Sequence, residues 1–178
     1  MHLMLDLETL GTDYGDLVLC AGLVFWEEKD LYRHLFKFNM QQSKADGFKV
    51  NPRTLEWWGK QKINHMQFDE PDVDNRTVCK EISDVIKRMK PQTVWGCGPQ
   101  FDLILLEAYF KFYGVDLPWS YKQERCFRTM RELFGSCAED LVFEGTEHDP
   151  IDDATYQIKA LDKIMSCLVL KKPQKITA

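Results

Sequence analysis

The opening eight residues, Met1-His2-Leu3-Met4-Leu5-Asp6-Leu7-Glu8, constrain the fold more than any other stretch of the chain. They drive an apolar segment into a core and end it on two carboxylates. Successive side chains on a strand alternate between faces, so Asp6 and Glu8 share one face while Leu5 and Leu7 take the other. Two like charges held side by side repel unless a cation lies between them, and hard cations such as Mg²⁺ and Mn²⁺ prefer carboxylate oxygens. Taken alone, Asp-x-Glu reads more simply as a strand end running into solvent. Thr9-Leu10-Gly11-Thr12 follows, and the pair gains weight only when joined to two later motifs.

A chain of 178 residues is expected to form one domain, residues 1–178, with a sizeable core. Its 44% hydrophobic and 29% charged residues are ordinary for a soluble globular protein. No apolar run approaches the roughly 20 residues needed to span a bilayer, and no basic-then-apolar leader opens the chain. A cytoplasmic protein with no membrane partner is the expectation. Cys20, Cys79, Cys97, Cys126, Cys137 and Cys167 include no C-x-x-C pair, which argues against a zinc site and a secreted disulfide framework and for reduced thiols. The net charge of −5 disfavours a nucleic-acid partner unless the acids are concentrated around divalent ions. Basic clusters exist at Lys60 and Lys62, at Lys87, Arg88 and Lys90, at Lys122, Arg125, Arg128 and Arg131, and at Lys171, Lys172 and Lys175. Each reads first as a solvated helix face.

Strands are expected at Leu17–Trp26 and Leu31–Phe38, antiparallel to the first and joined by the charged turn Glu27–Asp30. Gln41–Val50 has no period and reads as a surface loop. Asn51-Pro52 opens a helix through Leu55, Trp57 and Trp58. Adjacent helical residues lie about 100° apart, so the two tryptophans cannot both face one core. One is free to reach a groove, where stacking on a base is a conceivable use. After an acidic connection over Gln67–Asp74, Val78, Ile82, Val85, Ile86 and Met89 mark a second helix that stops before Pro91. Gln92–Cys97 is a short strand, Gly96-Cys97-Gly98-Pro99 a tight break, and Phe101, Ile104, Leu105, Ala108 and Phe112 the stripe of a third helix. Cys126–Phe127 suggests an edge strand and Arg128–Phe134 a short helix. Asp149 and Pro150 open a last helix with a stripe of Ile151, Ala154, Ile158, Leu161, Met165 and Leu168. Strands first, then alternating helix and strand, indicate an α/β or α+β domain with a mixed sheet.

The acids at the ends or starts of buried elements are Asp6, Glu8, Asp102 and Asp153, and His148 could join them at one sheet edge. Two divalent ions about 4 Å apart can activate a water and stabilise a leaving oxygen, and a histidine is suited to take the water's proton. Periodicity alone does not make the acids converge, and spacing barely separates Asp153 from Asp152.

Asp6-x-Glu8-Thr9-x-Gly11, then Trp95-Gly96-x-Gly98-x-x-Phe101-Asp102, then His148 with Asp153 five positions on, resemble in order and separation the three motifs of the DEDDh 3′-5′ exonucleases of the ribonuclease H-like superfamily. Each motif is weak alone and the ordered set is specific. The Thr54–Trp58 helix and the His148–Ile151 segment are most similar to compact bacteriophage exonucleases and related bacterial exoribonucleases. The resemblance implies an α/β fold with a central five-stranded mixed sheet flanked by helices, and a site for two Mg²⁺ or Mn²⁺ ions. It implies that Asp6 bridges both ions, that Glu8 and Asp153 hold the nucleophile-side ion, that Asp102 holds the second through water, and that His148 is the general base. The implied reaction hydrolyses single-stranded DNA or RNA from the 3′ end to nucleoside 5′-monophosphates. Thr9 and Leu10 are then expected against the terminal nucleotide, Leu10 as a wedge beside its base, with Phe101 in the core or at the ribose and Trp58 among the substrate contacts. Two departures stand out. Cys97 occupies a position where many members carry Asn, leaving a hydrogen bond there either missing or supplied by Gln100, and Pro150 stands where many have a small residue two after the histidine.

A phosphodiesterase confined to short oligonucleotides, in the manner of oligoribonucleases, is an alternative, as is a non-catalytic nucleic-acid-binding module that keeps the fold. Relatives that pair make a homodimer conceivable, but no feature of the chain demands one.

Overall fold

The computed structural model describes residues 1–62 and 73–170. Most of the expected Gln67–Asp74 connection, His65 and the lysines at 171, 172 and 175 lie outside the described residues.

The chain opens with β1 (His2–Thr9), β2 (Val18–Glu27) and β3 (Asp30–Lys37), paired antiparallel as the hydrophobic pattern predicts. β4 (Thr93–Gly96) then joins β1 in parallel, and β5 (Glu124–Cys126) joins β4 in parallel. The order β3-β2-β1-β4-β5 is a mixed five-stranded sheet with β1 at its centre. Around it lie α1 (Met40–Ala45), α2 (Pro52–Trp58), α3 (Asn75–Met89), α4 (Asp102–Phe112), α5 (Phe127–Phe134) and α6 (Pro150–Leu170).

The period-2 pattern of β1 decides which layer each residue meets. Leu3, Leu5 and Leu7 enter the larger core with α3 and α4. Met4, on the other face, enters the smaller core with Val24, Trp26, Ile158 and Leu161, beneath α6. Asp6 and Glu8 continue the Met4 row, so the carboxylates emerge under the first turns of α6. β2 permits this approach through Gly22, the register partner of Asp6. A Cβ there would fall 2.5 Å from the Pro150 carbonyl oxygen.

Side chains start the helices where the sequence signals them. Asn51 accepts from Arg53 N–H ahead of α2, and Asp74 accepts from Thr77 N–H ahead of α3. Asp149 accepts from the N–H groups of Ile151 and Asp152 at the start of α6.

Several expectations are corrected. The supposed loop over Gln41–Val50 contains α1, whose short sequence has no marked period but which is tied down by tertiary bonds. Asn75 Nδ2 donates to the Asn39 carbonyl and to Ser43 Oγ, and Asn39 caps the helix. The stripe expected for α4 holds in part: Leu105 and Ala108 are buried and Phe101 packs on the larger core, but Ile104 and Phe112 are 37% and 54% exposed, while Leu103, Leu106, Tyr109 and Phe110 are buried as well. That helix is apolar nearly all round, so spacing alone cannot fix its rotation. The edge strand ends at Cys126, and Phe127 begins α5. The thiols are not all free: Cys137 and Cys167 form a disulfide across 30 residues, with Cα atoms 6.2 Å apart. α6 carries Cys167 back to the turn holding Cys137, a long-range proximity that no local spacing reveals. Cys20 and Cys79 are buried free thiols. Among the described residues no helix is long and apolar enough to cross a membrane.

Candidate active site

The three parallel strands end at one edge of the sheet, and a cleft of about 720 Å³ opens there. Its lining includes Asp6, Glu8, Asp102, Asp153 and His148, so residues far apart in sequence meet in one place. Asp6 and Glu8 come from β1, Asp102 from the start of α4 after β4, and Asp153 from the first turn of α6. Glu8, His148 and Asp153 each offer a donor atom, and these atoms lie within 4.8 Å of one another. Asp152, which spacing could not separate from Asp153, faces elsewhere and accepts from Thr146 N–H.

His148 is held by its backbone. Its φ of +66° lies in the left-handed region that few non-glycine residues adopt. Its N–H donates to Asp153 Oδ2 at 3.0 Å, joining the histidine loop to the helix that carries the acid. The Trp57 ring stands edge-on to the imidazole, with centroids 4.8 Å apart.

The carboxylates are starved of water and crowded by like charge. Burial, then Asp6, Asp153 and Asp102, push Glu8 up to about 10. Burial raises Asp102 to about 7, against the opposing bond from Leu7 N–H at 3.3 Å. Asp6 is raised well above the usual carboxylate range by enclosure and by Asp102 and Asp153, a rise opposed by its bond from Gln157. Asp153 is also raised by burial. Asp102 Oδ2 is buried with no hydrogen-bond partner among the described residues.

Such a site asks for positive charge. A buried carboxylate oxygen without a partner among the described residues, clustered acids whose pKa values burial raises, and a set of four carboxylates with one imidazole fit hard divalent ions.

The substrate-facing expectations separate. Thr9 lines the cleft and is 5% exposed, its hydroxyl donating to the Gly11 carbonyl. Phe101 lines the cleft and also packs on the larger core. Leu10 does not line the cleft. It is 1% exposed within the larger core, just beyond the end of β1. Trp58 borders the cleft but is buried, its Nε1 donating to the Thr9 carbonyl at 2.9 Å, so it pins α2 to the end of β1. Trp57 is the indole that reaches outward, 41% exposed. Gln100 is exposed, and Asp102 Oδ1 accepts from the Leu7 N–H of β1.

Sequence reasoning missed two residues. Arg128, from the first turn of α5, lines the cleft and donates to the Cys97 carbonyl at 2.8 Å. Gln157 donates to Asp6 Oδ1 at 2.9 Å. Neither belongs to a motif, and Arg128 appeared only within a basic cluster.

Residues 1–165 match the family model described as the Rv2179c-like 3′-5′ exoribonuclease domain. The chain belongs to this family. No curated protein matches this Rv2179c-like domain by sequence. Solved structures do. The nuclease domain of 3′hExo, a DEDDh family member bound to rAMP, is similar with TM-score 0.59 and 14% identity, over 96% of this chain and 92% of that one. The Mg²⁺- and Mn²⁺-bound form of S. pombe Pop2p gives TM-score 0.62 at 14% identity, over 92% and 82%. Cell-death related nuclease 4, CRN-4, gives 0.58 at 13%, over 94% of this chain but 64% of its own length. At these identities the likeness speaks for the fold, which is the ribonuclease H-like nuclease fold. Family and fold together indicate a 3′-5′ exonuclease of the DEDDh type for this Rv2179c-like domain.

Proposed function

We propose that the chain hydrolyses single-stranded RNA from its 3′ end to nucleoside 5′-monophosphates, with two divalent ions and with His148 as general base. The observation that carries this reading is the convergence of Asp6, Glu8, Asp102, Asp153 and His148 on one cleft. RNA is favoured over DNA by the family's description as exoribonucleases and by the rAMP bound to 3′hExo. The Mg²⁺ and Mn²⁺ of Pop2p support the choice of ions.

Asp6, Glu8, Asp102 and Asp153 would hold the ions, which supply Lewis acidity and offset the charge of the phosphate. His148 accepts a proton from the attacking water as its oxygen bonds to the last phosphorus. The bond from that phosphorus to the 3′ oxygen of the preceding nucleotide breaks, and that oxygen takes a proton from solvent. Asp153 keeps the histidine loop in register through the His148 N–H bond. Thr9 and Phe101 line the space for the terminal nucleoside.

The test is degradation of matched 5′-labelled single-stranded RNA and DNA, in a series of lengths, with Mg²⁺, Mn²⁺ or EDTA, beside Asp6→Ala. A metal-dependent ladder shortening from the 3′ end, faster on RNA and absent in the variant, is expected. Faster hydrolysis of DNA would overturn the RNA assignment, and activity confined to the shortest oligomers would make the protein an oligoribonuclease. Binding without cleavage would overturn the catalytic reading.

A further inference from the structure

Gln157 sits one helical turn beyond Asp153, so the i,i+4 spacing keeps both on the flank of α6 that meets the end of β1. Its side chain is 7% exposed, and it is the polar residue that α6 buries among Ala154, Ile158, Leu161 and Ile164. The amide nitrogen donates to Asp6 Oδ1 across 151 residues of sequence. The amide oxygen is buried and has no hydrogen-bond partner among the described residues.

A half-satisfied amide is a poor way to fill a core. An unpaired buried polar group costs about 1–3 kcal/mol, whereas an aliphatic side chain of similar volume would pack without that penalty. What the amide supplies, and an aliphatic group cannot, is a fixed donor to one oxygen of Asp6. That bond fixes one oxygen of a carboxylate that Asp102 and Asp153 crowd with like charge. Residues that orient metal ligands through such bonds typically matter about 10- to 100-fold in metal affinity or activity.

We propose that Gln157 is a positioning residue, whose amide holds the Asp6 carboxylate in the orientation in which it joins the other acids around a divalent ion. The inference rests on the metal-dependent reading above.

The experiment is thermal unfolding of the wild type and of Gln157→Met across a Mn²⁺ titration after treatment with EDTA. Methionine keeps the length and loses the donor. The expected result is a metal-free midpoint close to wild type, with about 10-fold or more Mn²⁺ needed for half of the metal-induced rise. An unchanged Mn²⁺ response would overturn the inference, whether or not the metal-free midpoint falls, because a purely structural role moves only the latter. Should Gln157→Met fail to fold, Gln157→Asn, which keeps the amide but withdraws it by one methylene, is expected to show the same weakened response. A wild type indifferent to Mn²⁺ and Mg²⁺ would overturn the metal-dependent reading itself. A responsive wild type with an equally responsive variant would overturn only the role of Gln157.

Discussion

Asp153 has two functions that substitution can separate. Its Oδ2 accepts from His148 N–H, and its charge adds to the cluster with Asp6 and Glu8. Asp153→Asn keeps an acceptor for the backbone bond and removes the charge. We expect it to fold as the wild type does and to lose turnover almost completely; near-normal rates would overturn the site. His148→Ala removes only the imidazole, and a missing general base typically costs about 10²- to 10⁴-fold. Its rate should fall by that order while the Mn²⁺ response of its unfolding changes far less. Equal losses in both would make the imidazole a metal ligand rather than a base, a role its closeness to Glu8 and Asp153 permits. The acids and the histidine were legible in the sequence because three weak motifs occur in a fixed order. Gln157 was not, since an amide inside an apolar helical stripe carries no motif and its partner is 151 residues away. The burial of Leu10 was not legible, because its place in the larger core depends on packing beyond the end of β1 rather than on its own neighbours.

Among the elements, the junction of α6 with the sheet does most to form the site. Gly22 gives the Pro150 backbone room to lie over β2 opposite Asp6, which lets the first turns of α6 overhang the end of β1. Gly22→Val should therefore act twice. Overpacking a buried contact usually costs about 1–3 kcal/mol, which a lowered denaturant midpoint will report. The displaced helix should also lower activity under conditions where the variant is still folded. Unchanged stability and activity would mean that α6 adapts freely, contrary to the tight approach seen here. At this scale the sequence reads well wherever one face is apolar and the ends carry caps, as in α3 and α6. It fails in part in α4, whose rotation a stripe apolar nearly all round leaves open. It fails again in α1, six residues that hold their shape through Asn75 and Asn39 rather than through any period of their own.

For the molecule as a whole, a net charge of −5 looks ill suited to a polyanionic substrate, yet several of the acids are gathered in one cleft, where the proposed divalent ions would offset them. The pH dependence of stability follows from this. Unfolded carboxyls titrate near pH 4, whereas burial raises Asp102 to about 7, and burial with like-charge repulsion raises Glu8 to about 10. Between those values the folded chain binds protons that the unfolded chain has released, so stability falls as pH rises. The contribution is fully present below the unfolded values and is lost as pH climbs through about 7 and on toward 10. Asp140 and Glu144 run the opposite way, held low by Lys163 and Lys159, but they are exposed ion pairs of small effect. In EDTA the unfolding midpoint should therefore decline from about pH 5 to about pH 9. Millimolar Mg²⁺ favours the ionised acids, so its stabilisation should grow over the same range and flatten or reverse the decline. Parallel profiles with and without Mg²⁺ would show that the buried acids are not what a divalent cation meets. The Asp102→Asn variant sharpens the comparison, since removing one raised carboxyl should make the EDTA profile less steep around pH 7 while weakening the response to Mg²⁺.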